Sequence, residues 1–474
     1  MLSALAAAVP PSIEGPAQDF SNDSPLLAVV KVLGVFVFLV LNTLVAIWAE
    51  RRILGRMQQR PGPNRHGPFG LLQSLADGVK LALKEDIVPT AADKLVYILA
   101  PTISVAPAFL AFAIIPLGPE VRIPWYVDES WSDGLNGSWD LISTPLQVTD
   151  VPVAVLFVLA AASVGVYGIV LAGWSSGSTY PLLGGLRSTA QVVSYELAMA
   201  LSLVPVFIYV GSMSTSQIVA AQGDFWLIAP LFPSFVIFFI AMFGETNRAP
   251  FDLAEGEGEL VGGFHTEYSS LKFALFFLAE YVAMLSISAL AVTLFLGGWQ
   301  APWPLGTLSD GALNTGWWPL LWFFLKLWLF MFVFIWVRGV LPRMRYDQFM
   351  GLGWKILIPA AIGWIVVLTL ARGVIGEGFV SQRQLIIATI VVGVIAVVVS
   401  MFVGGGRREE PAEQADIDPF ADGFPVPPMP GQQIIRSRGS LEPISPEDRT
   451  EPGDASPPVA SGAITAGTRG PTDE

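Results

Sequence analysis

The sequence has no cysteine and only two histidines among its 474 residues, and only 14% of it is charged. Without thiolates the chain lacks the ligands that iron–sulfur clusters and attached c-type haem normally take. His66 and His265 are isolated, and no cysteine is present to complete a tetrahedral zinc set. Electrons, if they are involved, must arrive from another chain. The shortage of charge carries a second exclusion. Soluble domains carry about 25% charged residues, whereas this chain is 53% hydrophobic with a mean hydropathy of +0.59, which points to lipid as its solvent.

What is present confirms that direction. Nine apolar segments are long enough to cross a bilayer as helix: 26–48, 95–117, 151–173, 190–210, 225–243, 272–296, 317–337, 352–370 and 384–403. Barrel strands would be about 10 residues long and alternating, so the expected fold is an all-α polytopic membrane protein. Residues 1–25 contain no Lys or Arg, so they lack the basic start of a secretory signal peptide, and the first apolar helix is expected to be retained.

Charge sets the expected orientation. With the amino terminus outside, the inner loops hold fifteen Lys and Arg, and the outer loops hold three, Arg122, Arg372 and Arg383. That bias favours this orientation and puts the carboxyl terminus inside. Of the net charge of −13, residues 404–474 contribute 6 basic and 13 acidic side chains, or −7. This Pro-, Gly-, Ser- and acid-rich stretch buries too little apolar surface to order itself and reads as a disordered tail.

Two inner loops are not featureless. The first, 49–94, begins with ERRILGRMQQRPGPNRHGPFG, too rich in Pro and Gly to be helical throughout. It continues with Leu71, Leu75, Val79, Ala82 and Leu83 at helical spacing and Asp77, Lys80 and Lys84 on another face. That pattern predicts a short amphipathic helix at the inner interface. The second, 244–271, carries Glu245, Asp252, Glu255, Glu257, Glu259 and Glu267 against a single Arg248. Such a run is compatible with a solvated acidic loop, but Pro250, Phe251, Leu260, Val261 and Phe264 interleave with it and give it something to pack. Crowded carboxylates also repel, which moves some of them towards proton exchange near neutral pH. The outer segment 118–150 reads as an interfacial loop.

Ionisable residues also fall within the apolar segments. Glu196 lies about six residues into its segment and Glu280 about eight, so at about 1.5 Å per residue they sit at matching depth from the inner face. Both are expected to face one polar cavity continuous with the acidic loop, since intramembrane charge is costly and mostly functional. Lys326 is a candidate partner for one of these acids, and Lys31 is near enough to the outer end to snorkel.

Several stretches together resemble a known family. ERRILGRMQQRPGPNRHGPFGLLQSLADGVKLALKED, YGIVLAGWSSGSTYPLLGGLRSTAQVVSYELAMAL, ETNRAPFDLAEGEGELVGGFHTEY, KFALFFLAEY and VRGVLPRMRYDQFMGLGWK are similar to the quinone-site membrane subunit of NADH-quinone oxidoreductase, respiratory complex I, and appear in that family's order. The resemblance covers roughly residues 30–370 and implies an eight-helix core, 26–370, joining a hydrophilic arm to a proton-pumping membrane arm of a bacterial inner membrane. It implies that Glu50, Arg51, Arg52, Gly62, Asn64, Asp77, Arg248, Phe251 and Asp252 lie near a quinone chamber. It implies likewise that Glu196, Glu245, Glu280, Glu255, Glu257 and Glu259 belong to a proton path. Quinone is then the bound substrate, with no metal, flavin or iron–sulfur cluster in this chain. The expected partners are iron–sulfur and quinone-site subunits of the hydrophilic arm and small neighbouring membrane subunits, with no nucleic acid. The ninth segment and the tail depart from the family pattern. A homologous subunit of an energy-converting hydrogenase would share the acids, but the complete GPNRHGP run favours complex I. A stand-alone ion transporter is disfavoured by the lack of internal repeats.

Overall fold

The computed structural model describes residues 18–376, apart from 22, 128–137, 224, 253–260, 303–304 and 309–310. The expected ninth span, the tail and the acids Glu255, Glu257 and Glu259 lie outside the described residues. Helix α1 (Pro25–Met57) starts where Ser24 accepts from the Leu27 amide and proline takes the first turn. It continues nine residues past the expected end at Trp48, through ERRILGRM. No proline or turn-forming pair interrupts that stretch, so Glu50, Arg51 and Arg52 stand on a helix and not in a loop. The turn-rich segment begins only after Met57 and leads to the amphipathic helix α2 (Gln73–Leu83).

Helix α3 (Lys94–Phe112) is capped by Asp93, which accepts from the Leu95 and Val96 amides. It is followed by an antiparallel hairpin, β1 (Glu120–Val127) and β2 (Ser138–Pro145), in register Glu120↔Pro145 to Val127↔Ser138. The expected interfacial loop thus has its own backbone pairing, because alternation such as VRIPWYV lets two short strands satisfy each other where no helix partner exists. Helix α4 (Ala154–Ser175) then lies against α3. Their approach is close: a Cβ on Gly168 would stand 2.1 Å from the Ser104 Oγ. Small residues at helix contacts are what membrane bundles use in place of a hydrophobic driving force.

Helix α5 (Thr179–Val210) begins eleven residues before the expected start at Ala190, because the polar stretch TYPLLGGLRST continues the helix beyond its apolar part. After the short α6 (Thr215–Ala220) comes α7 (Phe232–Glu245). Its 14 residues fall short of the roughly 20 that span a bilayer. Helix α8 (Ser270–Phe295) forms the middle of the bundle and is the most buried of the long apolar helices, 72% of its most apolar stretch against 22–50% in the others. Helix α9 (Trp318–Val340) precedes α10 (Tyr346–Leu352), which passes through a π turn at Gly353–Leu357 into α11 (Ile358–Gly376). Among the described residues seven helices are long and apolar enough to span a membrane, and α7 is a shorter apolar one.

The bundle has two chemically distinct ends. At one end the hairpin, the start of α1 and the 211–228 segment are joined by polar bonds. Asp23 pairs with Lys31 and accepts from Thr144, Gln147 donates to Ile114 O at 2.7 Å, and Asp150 accepts from Ser214 and Ser216. Lys31 is therefore held by an acid at the bundle's end. The other end gathers the arginines and carboxylates.

Candidate functional site

Arg248 organises the charged end. It follows α7 by three residues, in a turn where its carbonyl accepts from the Phe251 amide at 2.8 Å and the Ala249–Pro250 bond is cis. The residue is only 6% exposed. Nε lies 2.7 Å from Glu280 Oε1 on α8, and Nη1 lies 3.3 Å from Glu50 Oε1 on α1. Glu50 is also engaged by Arg338 near the end of α9, and Tyr281 donates to its other oxygen at 2.6 Å. The Arg248 guanidinium sits 4.5 Å over the Tyr281 ring. Burial works against the arginine's charge, but Glu280 and Glu50 outweigh that and hold its pKa above the ordinary arginine value. One buried cation thus bridges two carboxylates from helices far apart in sequence.

Beside this network lies a cavity of about 140 Å³ between α3, α4, α5 and α8. Glu280 and Glu245 both line it, with Asn247 and His265, but most of the lining is apolar. The expectation of a polar cavity shared by Glu196 and Glu280 is therefore corrected in two ways. The second acid is Glu245, and the walls are largely hydrocarbon because the small residues that let the helices approach also leave the gap. Glu196 instead accepts a hydrogen bond from Ser163 on α4, and it remains close enough to act electrostatically on Glu245. One Glu245 oxygen is shut off from solvent without a hydrogen-bond partner among the described residues.

The matching depth of Glu196 and Glu280 depends on which end is used for measurement. From their helix starts they differ, since α5 reaches far below Glu196. From the opposite ends, Glu196 is 14 residues from Val210 and Glu280 is 15 from Phe295, by subtraction of the residue numbers. Both are then about 21–23 Å along the helix from that end.

The remaining expected chamber residues form two further groups. Arg51 pairs with Asp77 at 2.5 Å, joining α1 to α2. Arg52 donates to Phe69 O at 2.7 Å and lies over the Trp48 and Phe69 rings. Gly62 lets the turn approach α1, since a Cβ there would stand 2.8 Å from Arg52 Cα, while Asn64 is exposed. Phe251 packs against both Tyr195 and Phe349, with ring centroids at 5.6 and 4.7 Å, and Asp252 beside it is half-buried. Tyr195 and Phe349 are themselves stacked at 4.1 Å.

Among the described residues Lys326 pairs with carbonyls and not with an acid. Its ammonium donates to Leu296, Gly298 and Gln300 carbonyls at 2.6, 3.0 and 2.7 Å, and sits 4.3 Å over the Trp226 ring. A cation at the carboxyl end of α8 meets orphan carbonyls and the negative end of the helix dipole, and that removes the need for a carboxylate. Sequence reasoning also missed Tyr281, Arg338, Ser163 and Tyr195 as members of the site. Tyr281 and Tyr195 each adjoin a glutamate already singled out, and that adjacency was the available signal. Arg338 had no signal beyond its charge.

A multispanning α-helical protein with a buried guanidinium–carboxylate network at one end is the class that fold and site define. The chain matches the NADH dehydrogenase family model over residues 30–369 and belongs to that family. It is a membrane subunit of the NADH:quinone oxidoreductase complex and is involved in quinone reduction.

Proposed function

We propose that the charged end walls a quinone chamber where the hydrophilic arm docks, and that the chain couples quinone reduction to proton translocation. The observation that supports this reading most is the bridge at Arg248, with Glu50 on one side and the cavity-lining Glu280 on the other. Negative charge developing on a reduced quinone near Glu50 competes for the same guanidinium. Glu280 then loses part of its counter-charge, and a carboxylate without its cation favours protonation. Glu245, on the same cavity, and Glu196 beyond it offer the next proton sites. Arg51, Arg52, Gly62, Asn64 and Asp77 shape the α1–α2 side of the chamber, and Phe251 and Asp252 the opposite side. Glu255, Glu257 and Glu259 are assigned to the same proton path.

In this reading the charged end faces the cytoplasm and the amino terminus lies outside, as the distribution of Lys and Arg favours. The partners are iron–sulfur subunits that deliver electrons, quinone-site subunits of the hydrophilic arm and small membrane neighbours. The test is proton pumping by reconstituted complex carrying Glu280→Gln or Glu245→Gln. Each should lower pumping and quinone reduction while leaving assembly intact. Unchanged activity in both variants would refute the path.

A further inference from the structure

Two adjacent serines at the start of α8 fasten the amphipathic helix α2 to the rest of the protein. Ser270 is buried, and its Oγ lies 3.0 Å from Leu81 O and 2.8 Å from Lys84 O. These are among the carbonyls that the carboxyl end of α2 leaves without an intrahelical partner. Ser269 accepts from the Ile87 amide at 2.9 Å. Ser270 does this from a left-handed backbone, φ +56°, a region that disfavours side chains other than those of glycine and asparagine. A residue held there against its backbone preference indicates that the surrounding contacts fix it.

Neighbouring contacts run the same way. The Tyr97 and Tyr268 rings stack at 4.1 Å, the Tyr97 hydroxyl donates to Glu267 O at 2.7 Å, and Lys272 pairs with Asp86 at 2.8 Å. Towards the middle of α2, Asp77 is paired with Arg51. The apolar residues Leu75, Val79 and Leu83 are exposed, so these three side chains do not hold the helix against the rest of the protein. The polar contacts that do are the Asp77 pair in its middle and the serine clasp at its carboxyl end.

We propose that Ser269 and Ser270 are positioning residues for quinone: they fix α2, and through it the Asp77–Arg51 pair, relative to α8. This inference rests on the quinone-chamber reading above. The test uses the assembled complex in membranes, with NADH–ferricyanide activity as the readout of electron input that does not pass through this chain. Ser270→Gly suits the left-handed backbone and removes the hydroxymethyl group that makes the clasp. It should raise the KM for a short-chain quinone at least threefold, with kcat within twofold of the parent. Ser270→Asn tolerates the same backbone and restores a donor, so it should return KM to within twofold. Asp77→Asn is the reference. If it raises KM and Ser270→Gly does not, the clasp is overturned and the chamber stands. If neither Asp77→Asn nor Arg51→Gln alters KM, the chamber reading fails and the clasp with it. Should Ser270→Gly not assemble, Ser269→Ala is judged by the same outcomes. Failure of both to assemble would make the clasp a folding element and overturn the proposal.

Discussion

Replacing Arg248 by methionine removes the cation but leaves the aliphatic volume, and the loss falls unequally on its two carboxylate partners. At an effective dielectric constant of about 20, its contacts at 2.7 and 3.3 Å correspond to gross attractions of roughly 6 and 5 kcal/mol. Burying each ion costs several kcal/mol, so the intact network is worth much less than that sum. Breaking it is a different matter, because removing one partner of a buried pair costs about 3–5 kcal/mol through the charge left behind. Glu50 keeps Arg338 and Tyr281 in Arg248→Met, whereas Glu280 loses its arginine. Most of the loss should therefore pass through Glu280. Quinone kcat/KM should fall by at least about 100-fold, or roughly 2.7 kcal/mol. Glu280→Gln removes the charge that Arg248 balanced, so the double variant Arg248→Met/Glu280→Gln should be no worse than Arg248→Met alone. The coupling between the two sites should be about 1–3 kcal/mol. Steady-state quinone reduction is the assay, normalised to NADH–ferricyanide activity and to subunit content. Additive effects, within about 0.5 kcal/mol, would refute the claim that Arg248 and Glu280 act as one unit.

Lys326→Met should strip one buried and two part-buried carbonyls of their donor, at up to about 1–3 kcal/mol for each one left unmade. The complex should then inactivate at lower temperature while keeping its quinone kcat under permissive conditions. A pumping defect with unaltered thermal inactivation would instead indicate an acid partner. Gly244→Ala would put a Cβ 2.4 Å from the Tyr195 ring, which Phe349 stacking and a 3.0 Å bond to Phe349 O prevent from moving. Overpacking of this kind costs about 1–3 kcal/mol, so the yield of assembled complex should drop, and a parental yield would count against a rigid stack. Because the sequence has no cysteine, Glu257→Cys gives this subunit a single thiol. It should resist impermeant reagents added outside intact cells, and labelling from that side would reverse the proposed orientation.

The distribution of apolar segments was enough to show a helical membrane protein, because a bilayer requires long uninterrupted hydrocarbon and internally satisfied backbones. The same local chemistry marked Arg248, Glu196, Glu245 and Glu280 as charges needing an explanation, while Glu50 came only from the resemblance, whose motifs pointed to the family that the chain proves to belong to. Helix limits were less legible. Hydropathy stops where the membrane stops, while α1 and α5 continue through polar residues that favour helix as well as apolar ones do.

Which charges meet was decided only by the tertiary structure. Glu50, Arg248, Glu280 and Arg338 are brought together from four separate elements, at separations that no residue spacing encodes. The cavity pairs Glu280 with Glu245 because α7 ends beside α8, and Lys326 finds carbonyls in place of an acid because α8 ends beside α9. Sequence alone determined that these charges had to be satisfied, since burying them otherwise costs several kcal/mol each. The packing of the helices chose the partners, because only the folded chain fixes the few ångströms over which an ion pair or a hydrogen bond acts.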